Sequence, residues 1–239
     1  MVAATAAAVF VVLVLAVALH DGPLPLDGTI RHWVTTLTGP DTPAAATRFT
    51  HRRGPSDPEV SRTRDLLRPV ARLGAREVLV PLLVIGGAVL SVRRRTPGPL
   101  MLLVGSYLGM ALVVGPVKTL LHRPEPFDLP GQIGRSFPSG HAAQAVLVYG
   151  MLAALVLAGP VVSRVRAAAT VLPFVACSAV GFAVLFRDAH WFSDLVGGYA
   201  IGLVWLAGPL ALAERTAPWL IGIPGPARRR GPATSNLAG

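Results

Sequence analysis

Long apolar runs separated by short polar breaks set the pattern of this chain. Apolar residues dominate 3–19, 78–92, 99–117, 142–159, 167–186 and 194–213. Each run is apolar throughout rather than striped, which predicts helices that are hydrophobic on every face. The runs come close to the length that a bilayer core demands. The pattern therefore predicts an all-α fold, a polytopic membrane helix bundle of about six transmembrane helices. No basic stretch precedes the first run and no clear small-residue cleavage site follows it, so it reads as a retained helix rather than a signal peptide.

The breaks divide the chain. A first transmembrane helix over residues 1–20 leads into an extracytoplasmic or interfacial segment over 21–76. In that segment the stretches 29–37 and 61–73 suit amphipathic helices lying on the membrane surface. A transmembrane core follows over 77–213, and then a Gly-, Pro- and Arg-rich stretch, 214–239, expected to be a disordered basic cytoplasmic tail.

Charge fixes an orientation. Only 14% of the 239 residues are charged, yet the formal net charge is +10. Arg93-Arg94-Arg95, Arg164 with Arg166, Arg215 and Arg228-Arg229-Arg230 all fall on one side of the bundle, which the positive-inside rule makes cytoplasmic. Both termini then lie inside. The 20–76 segment lies outside despite nine arginines; long loops follow the rule poorly, and six acidic residues accompany them. The arginines cluster between apolar runs without a nucleic-acid-binding motif, so no nucleic-acid partner is expected. A single cysteine, Cys177, within an apolar run excludes a disulfide framework or a Cys-rich metal site.

The candidate chemistry gathers at the opposite, extracytoplasmic face. Lys118, the one lysine among 22 basic residues, ends the third run and precedes Thr119-Leu120-Leu121-His122-Arg123-Pro124-Glu125-Pro126. A lysine there either snorkels to the interface or, with Arg123, holds a phosphoryl group. Ser136-Phe137-Pro138-Ser139-Gly140-His141 opens the fourth run. Proline and a capping serine are ordinary at a helix start, but the Ser139 hydroxyl and free amides near Gly140 also make an anion site there. His141 has no part in a cap. His190-Trp191-Phe192-Ser193-Asp194 opens the sixth run and sets a carboxylate four residues after a histidine. That pair reads either as an interface anchor with a helix-start aspartate or as an imidazole whose tautomer is fixed for nucleophilic attack.

These three segments resemble the signature motifs of the type 2 phosphatidic acid phosphatase superfamily, which spans lipid phosphate phosphatases, undecaprenyl pyrophosphate phosphatases and vanadium haloperoxidases. The likeness extends over roughly residues 78–213. It implies that His190 is the nucleophile and forms a phosphohistidine, that Asp194 orients it, and that His141 protonates the leaving oxygen. It further implies that Lys118, Ser139 and the amide of Gly140 hold the phosphoryl oxygens, with no metal and no cofactor. The expected activity is hydrolysis of a membrane lipid phosphate or isoprenyl (pyro)phosphate, in a multi-pass protein of the cell membrane.

Two positions depart from the motifs. The arginine expected seven residues after the lysine is Glu125, and the one expected six residues before the third-motif histidine is Val184. Arg123 and Arg187, with Arg135 nearby, are the residues that could bind phosphate from shifted positions. The competing readings are a phosphotransferase that uses an alcohol as acceptor and a non-catalytic member of the same fold.

Overall fold

A computed structural model describes residues 1–20, 22–38, 58–126 and 134–221, with side chains of the third helix described from Asp65 onward. Among these residues the regular structure is helical: α1 (Val2–Leu19), α2 (Pro25–Thr38), α3 (Pro58–Arg72), α4 (Arg76–Arg94), α5 (Gly98–Leu121), α6 (Gly140–Leu157), α7 (Ser163–Phe186), α8 (Phe192–Thr216) and a 3-10 turn (Pro218–Ile221). Six segments are long and apolar enough to cross a membrane: α1, α5, α6, α7, α8 and the stretch Asp65–Arg94 that ends with α4. The helices outrun the apolar runs because hydropathy stops at the first charge whereas helical hydrogen bonding does not. Thus α7 takes in Arg164 and Arg166, and α4 takes in Arg93 and Arg94.

Lipid provides no hydrophobic drive between helices, so the bundle is held by close packing and by satisfied polar groups. Helix α6 is its axis, with Ala142, Ala143, Ala145, Leu147, Val148, Met151 and Leu155 all fully buried. Helix α8 meets it through Gly198 and Gly202, four residues apart on one face. A Cβ at Gly198 would stand 2.5 Å from the Ser139 carbonyl oxygen, and one at Gly202 would stand 2.7 Å from that of Ala143. Only glycine admits this approach. Helix α1 packs along α8 and stacks Phe10 on Phe137 at 6.2 Å. Outward-facing Val12, Leu112, Phe174 and Leu212 are exposed, as lipid-facing side chains are.

The two connecting helices also pack on the bundle. Helix α2 exposes Leu26, Trp33 and Leu37 but buries Asp27, Val34 and Thr35, packing against α7 and α8. Helix α3 packs on α7. The tail expected from residue 214 is corrected: α8 continues to Thr216, and the 3-10 turn packs on α5 and α8. The Arg94 guanidinium donates to the carbonyls of Leu155 and Ile221, tying that turn to the ends of α4 and α6. Residues 222–239 of the expected tail lie outside the described residues.

Candidate active site

The end of α5, the start of α6, the end of α7 and the start of α8 meet at one end of the bundle. His122 takes a left-handed conformation (φ 46°) and ends α5. The two sides of the following loop are then laced together, Gly134 N–H donating to the His122 carbonyl at 3.2 Å and Ser136 N–H to that of Arg123 at 3.0 Å. Lys118 Nζ donates to the carbonyls of Arg135 (2.7 Å) and Ser136 (3.3 Å). Two of its three protons therefore hold the loop in place. Phe137, fully buried beneath Gly197, seats the loop on α8, and its bond to Pro138 is cis.

Ser139 is the N-cap of α6. Its hydroxyl accepts from Ala142 N–H at 3.5 Å, and its own N–H donates to the Asp194 carbonyl at 2.9 Å. The side chain expected to bind phosphate is thus fully buried and acts as a cap. The half-buried Gly140 and His141 supply the exposed part of that helix start. Its first N–H groups have no partner within the helix. Gly74, in the turn between α3 and α4, backs His141: a Cβ there would lie 3.1 Å from the His141 carbonyl oxygen.

His190 precedes α8 rather than belonging to it, since the helix starts at Phe192 with Trp191 as N-cap. Asp194 at the third helical position accepts the Trp191 N–H at 2.9 Å. It also lies 3.5 Å from His190 Nδ1. The two sequence readings of this aspartate, cap and imidazole partner, hold together. Ser136 Oγ donates to Asp194 Oδ2 and lies 3.5 Å from His190 Nδ1, so serine and carboxylate both face that nitrogen. The His141 and His190 rings stand 6.3 Å apart and inclined by 63°. Lys118 and Arg187 are within electrostatic reach of His141, and Arg187, at the end of α7, is half-buried.

Arg123 corrects the expectation of a shifted phosphate ligand. It is 4% exposed, and Nη1 donates to Asp194 Oδ1 at 2.6 Å and to Ser193 Oγ at 2.7 Å, while Nη2 donates to Asp27 Oδ2 at 2.6 Å. A guanidinium in water-free surroundings is held where carboxylates neutralise it, so Arg123 stands behind Asp194 instead of facing a substrate. Asp27 was not visible as a site residue in the sequence. Its only local signal is a proline-led helix start in which it accepts the Leu24 N–H at 3.0 Å. It also accepts from the N–H and hydroxyl of Ser193 at 2.8 and 2.7 Å.

Other groups complete the rim. Arg31 of α2 forms a bidentate pair with Asp188, its closest contact 3.0 Å, and lies 5.5 Å from the centre of the Trp191 ring. The indole N–H donates to the Pro124 carbonyl at 2.9 Å. Glu125 is exposed and acts electrostatically on Lys118. Val184 is 2% exposed and packs with Ala142, Ala183 and Leu195, so an arginine would have no room there. Among the described residues, no group of three or more His, Cys, Asp or Glu side chains is placed to share a metal ion.

Comparison with known proteins agrees with this architecture. A family model for the PAP2 superfamily matches residues 99–216, from the start of α5 to the end of α8. Phosphatidylglycerophosphatase B of Bacillus subtilis (strain 168) is 32% identical over 145 residues, a stretch covering 59% of this chain and 70% of that protein. The crystal structure of a transmembrane PAP2-type phosphatidylglycerolphosphate phosphatase from Bacillus subtilis superposes with a TM-score of 0.68. It has 21% sequence identity and the alignment covers 90% of this chain and 97% of the other. With its six apolar helices and its two histidine segments at one end of the bundle, the chain belongs to the PAP2 superfamily of membrane phosphatases.

Proposed function

We propose that the protein hydrolyses a phosphomonoester of a membrane lipid through a phosphohistidine on His190. The observation that carries this reading is the orientation of the two rings. His190 Nδ1 faces Asp194 and Ser136, which leaves Nε2 as the nucleophilic nitrogen, and the His141 ring stands 6.3 Å away. In the first step the Nε2 lone pair attacks phosphorus and the P–O bond to the lipid breaks. The departing oxygen takes a proton from His141. Water then attacks the phosphohistidine, giving its proton to His141, and inorganic phosphate leaves. The third proton of Lys118, the Arg187 guanidinium and the first amides of α6 stabilise the phosphoryl oxygens as charge builds on them. Asp194 stabilises the positive imidazole ring of the intermediate. None of these steps calls for a metal.

The site faces the extracytoplasmic side in this reading, because Arg93, Arg94, Arg164, Arg166 and Arg215 occupy the opposite ends of the helices. The substrate expected first is a glycerophospholipid carrying a terminal phosphate, by similarity to the Bacillus phosphatidylglycerophosphatase. The test is phosphate release by protein purified in detergent, on a panel of phosphatidylglycerophosphate, phosphatidate and an isoprenyl pyrophosphate. Wild type should release phosphate from at least one member and His190→Gln from none. Activity that survives His190→Gln, or no release by wild type from any member, would refute the proposal.

A further inference from the structure

Asp27 is a buried charged group that the mechanism leaves unused, and it lies outside the residues matched by the superfamily. Helices α2 and α8 begin alike, each with an aspartate at its third position that accepts the N–H of the preceding cap residue. A cap needs no more than that. Yet Asp27 also takes both donors of Ser193 and one nitrogen of Arg123, and Arg123 spends its other terminal nitrogen on Asp194 and Ser193. Every contact of the two carboxylates is with a donor, which identifies both as ionised acceptors. Two carboxylates thus share one guanidinium, and the cluster keeps one negative charge next to His190.

We propose that Asp27 neutralises Arg123, so that Asp194 keeps its negative charge for His190. Without Asp27, Arg123 would cancel Asp194 at 2.6 Å. The imidazole ring would then become cationic on phosphoryl transfer beside a neutral pair. Asp27 is a positioning residue: it acts on His190 through Arg123 and Asp194 and touches no reacting atom. Arginine at 123 and aspartate at 27 form one unit, and the arginine fixes Asp194 without silencing it only because α2 brings a second carboxylate.

Other charges face the same ring. Arg31 of α2 and Asp188 share a small cavity with His190 and are paired with each other. Lys118 of α5 acts on Asp194, and His141 of α6 faces His190 and is itself influenced by Glu77 of α4 and by Arg187. None of these residues is itself altered in a variant changed at Asp27 alone.

This inference rests on the phosphohistidine reading, and its test separates the two. The variants are Asp27→Asn, which removes the charge and keeps the shape, Asp27→Glu, which keeps the charge, and Ser193→Ala, which weakens the network and keeps every charge. One readout is the rate–pH profile. The other is a [13Cε1]histidine NMR titration of His190, assigned by the signal lost in His190→Gln, which needs no turnover. A buried unit charge roughly 10 Å away acting through an effective dielectric near 20 shifts a titration by about one pH unit.

In Asp27→Asn the protonated ring loses support, so the His190 titration midpoint and the acid limb of the profile should move about one unit toward acid. Turnover at the optimum should fall about tenfold. Asp27→Glu and Ser193→Ala should leave both limbs in place whatever they cost in rate. An unmoved His190 titration in Asp27→Asn, or an equal shift in Ser193→Ala, overturns the inference while the phosphohistidine reading stands. Activity in His190→Gln overturns that reading instead. If Asp27→Asn is not monodisperse, Asp27→Ser, whose small neutral side chain leaves room for water beside Arg123, carries the same two outcomes.

Discussion

Replacing Gly198 by alanine adds one methyl group at the contact between the two histidine segments. The new Cβ would lie 2.5 Å from the Ser139 carbonyl oxygen, 2.9 Å from Ala142 Cβ and 3.2 Å from Ser139 Cβ, whereas ordinary contact begins at 3.4 Å. These are backbone and Cβ atoms with no rotamer to escape into, so the start of α6 must move off α8 by roughly 1 Å. Overpacking of this kind costs about 1–3 kcal/mol. The displacement acts directly on the Ser139 N–H bond to the Asp194 carbonyl, 2.9 Å long, and on the distance between His141 and His190. Misplacing reacting groups by about 1 Å costs on the order of 100-fold in rate. Gly198→Ala should therefore lose about 100-fold in kcat for phosphate release while still melting cooperatively in detergent. Gly105→Ala is the control, because a Cβ at Gly105 meets nothing within 4 Å. Full activity in Gly198→Ala, or an equal loss in Gly105→Ala, refutes the reasoning.

Arg123→Gln leaves Asp27 and Asp194 buried without their cation, so it should lower stability by about 3–5 kcal/mol, read as a fall in the detergent melting temperature; a rise in KM with unchanged melting would restore Arg123 as a substrate ligand. The rate should be bell-shaped in pH, since His190 attacks only when neutral, so the rate climbs as it loses its proton, and His141 donates only when protonated, so the rate falls as it loses its own; a flat profile excludes the two-histidine scheme. EDTA should leave the rate unchanged, and a loss reversed by added divalent cation would show that a step uses metal. Glu125→Arg exchanges a negative for a positive charge on the exposed rim beside Lys118, so it should lower KM for an anionic lipid, an effect that fades with salt; an unchanged KM at low salt removes Glu125 from the substrate path. Val184→Arg should instead fail to give folded protein, because it buries an unpaired charge among Ala142, Ala183 and Leu195.

The sequence disclosed what hydropathy and local motifs encode. Six apolar runs became six membrane-length helices, because nothing but a helix satisfies backbone groups in lipid over such a length. Lys118, His141, His190 and Asp194 were marked by polarity at the edge of an apolar run, and the fold gathers them at one end of the bundle. Arg123 shows the limit. Its place after Lys118 looked like that of a phosphate ligand, and only the position of its partners reveals otherwise. Asp27 lies 96 residues away in sequence and Asp194 lies 71. Pairing at that range is settled by how α2 packs on α7 and α8, and the helix-start pattern of α2 alone does not encode it. Ser139 is a milder case. Cap and phosphate donor use the same residue type at the same position, and the structure shows the cap bond, in which the hydroxyl accepts.

The two departures from the family motifs differ in physical kind. Val184 belongs to the packed interior, where an arginine would find no room. Glu125 sits exposed at the rim and changes the field a substrate meets without disturbing the helices. The cationic charge is consequently distributed in depth. Arg123 lies inside, neutralised by carboxylates and unable to attract an anion, whereas Lys118 and Arg187 stand near His141 with the helix start. In the proposed mechanism fewer cations would hold the ground-state phosphate, while the negative charge that supports a cationic His190 would be retained. A site so arranged would give up substrate affinity before it gave up the chemical step. A membrane enzyme can tolerate that, because its lipid substrate is confined to the same two-dimensional layer and binding need not be tight for the site to fill.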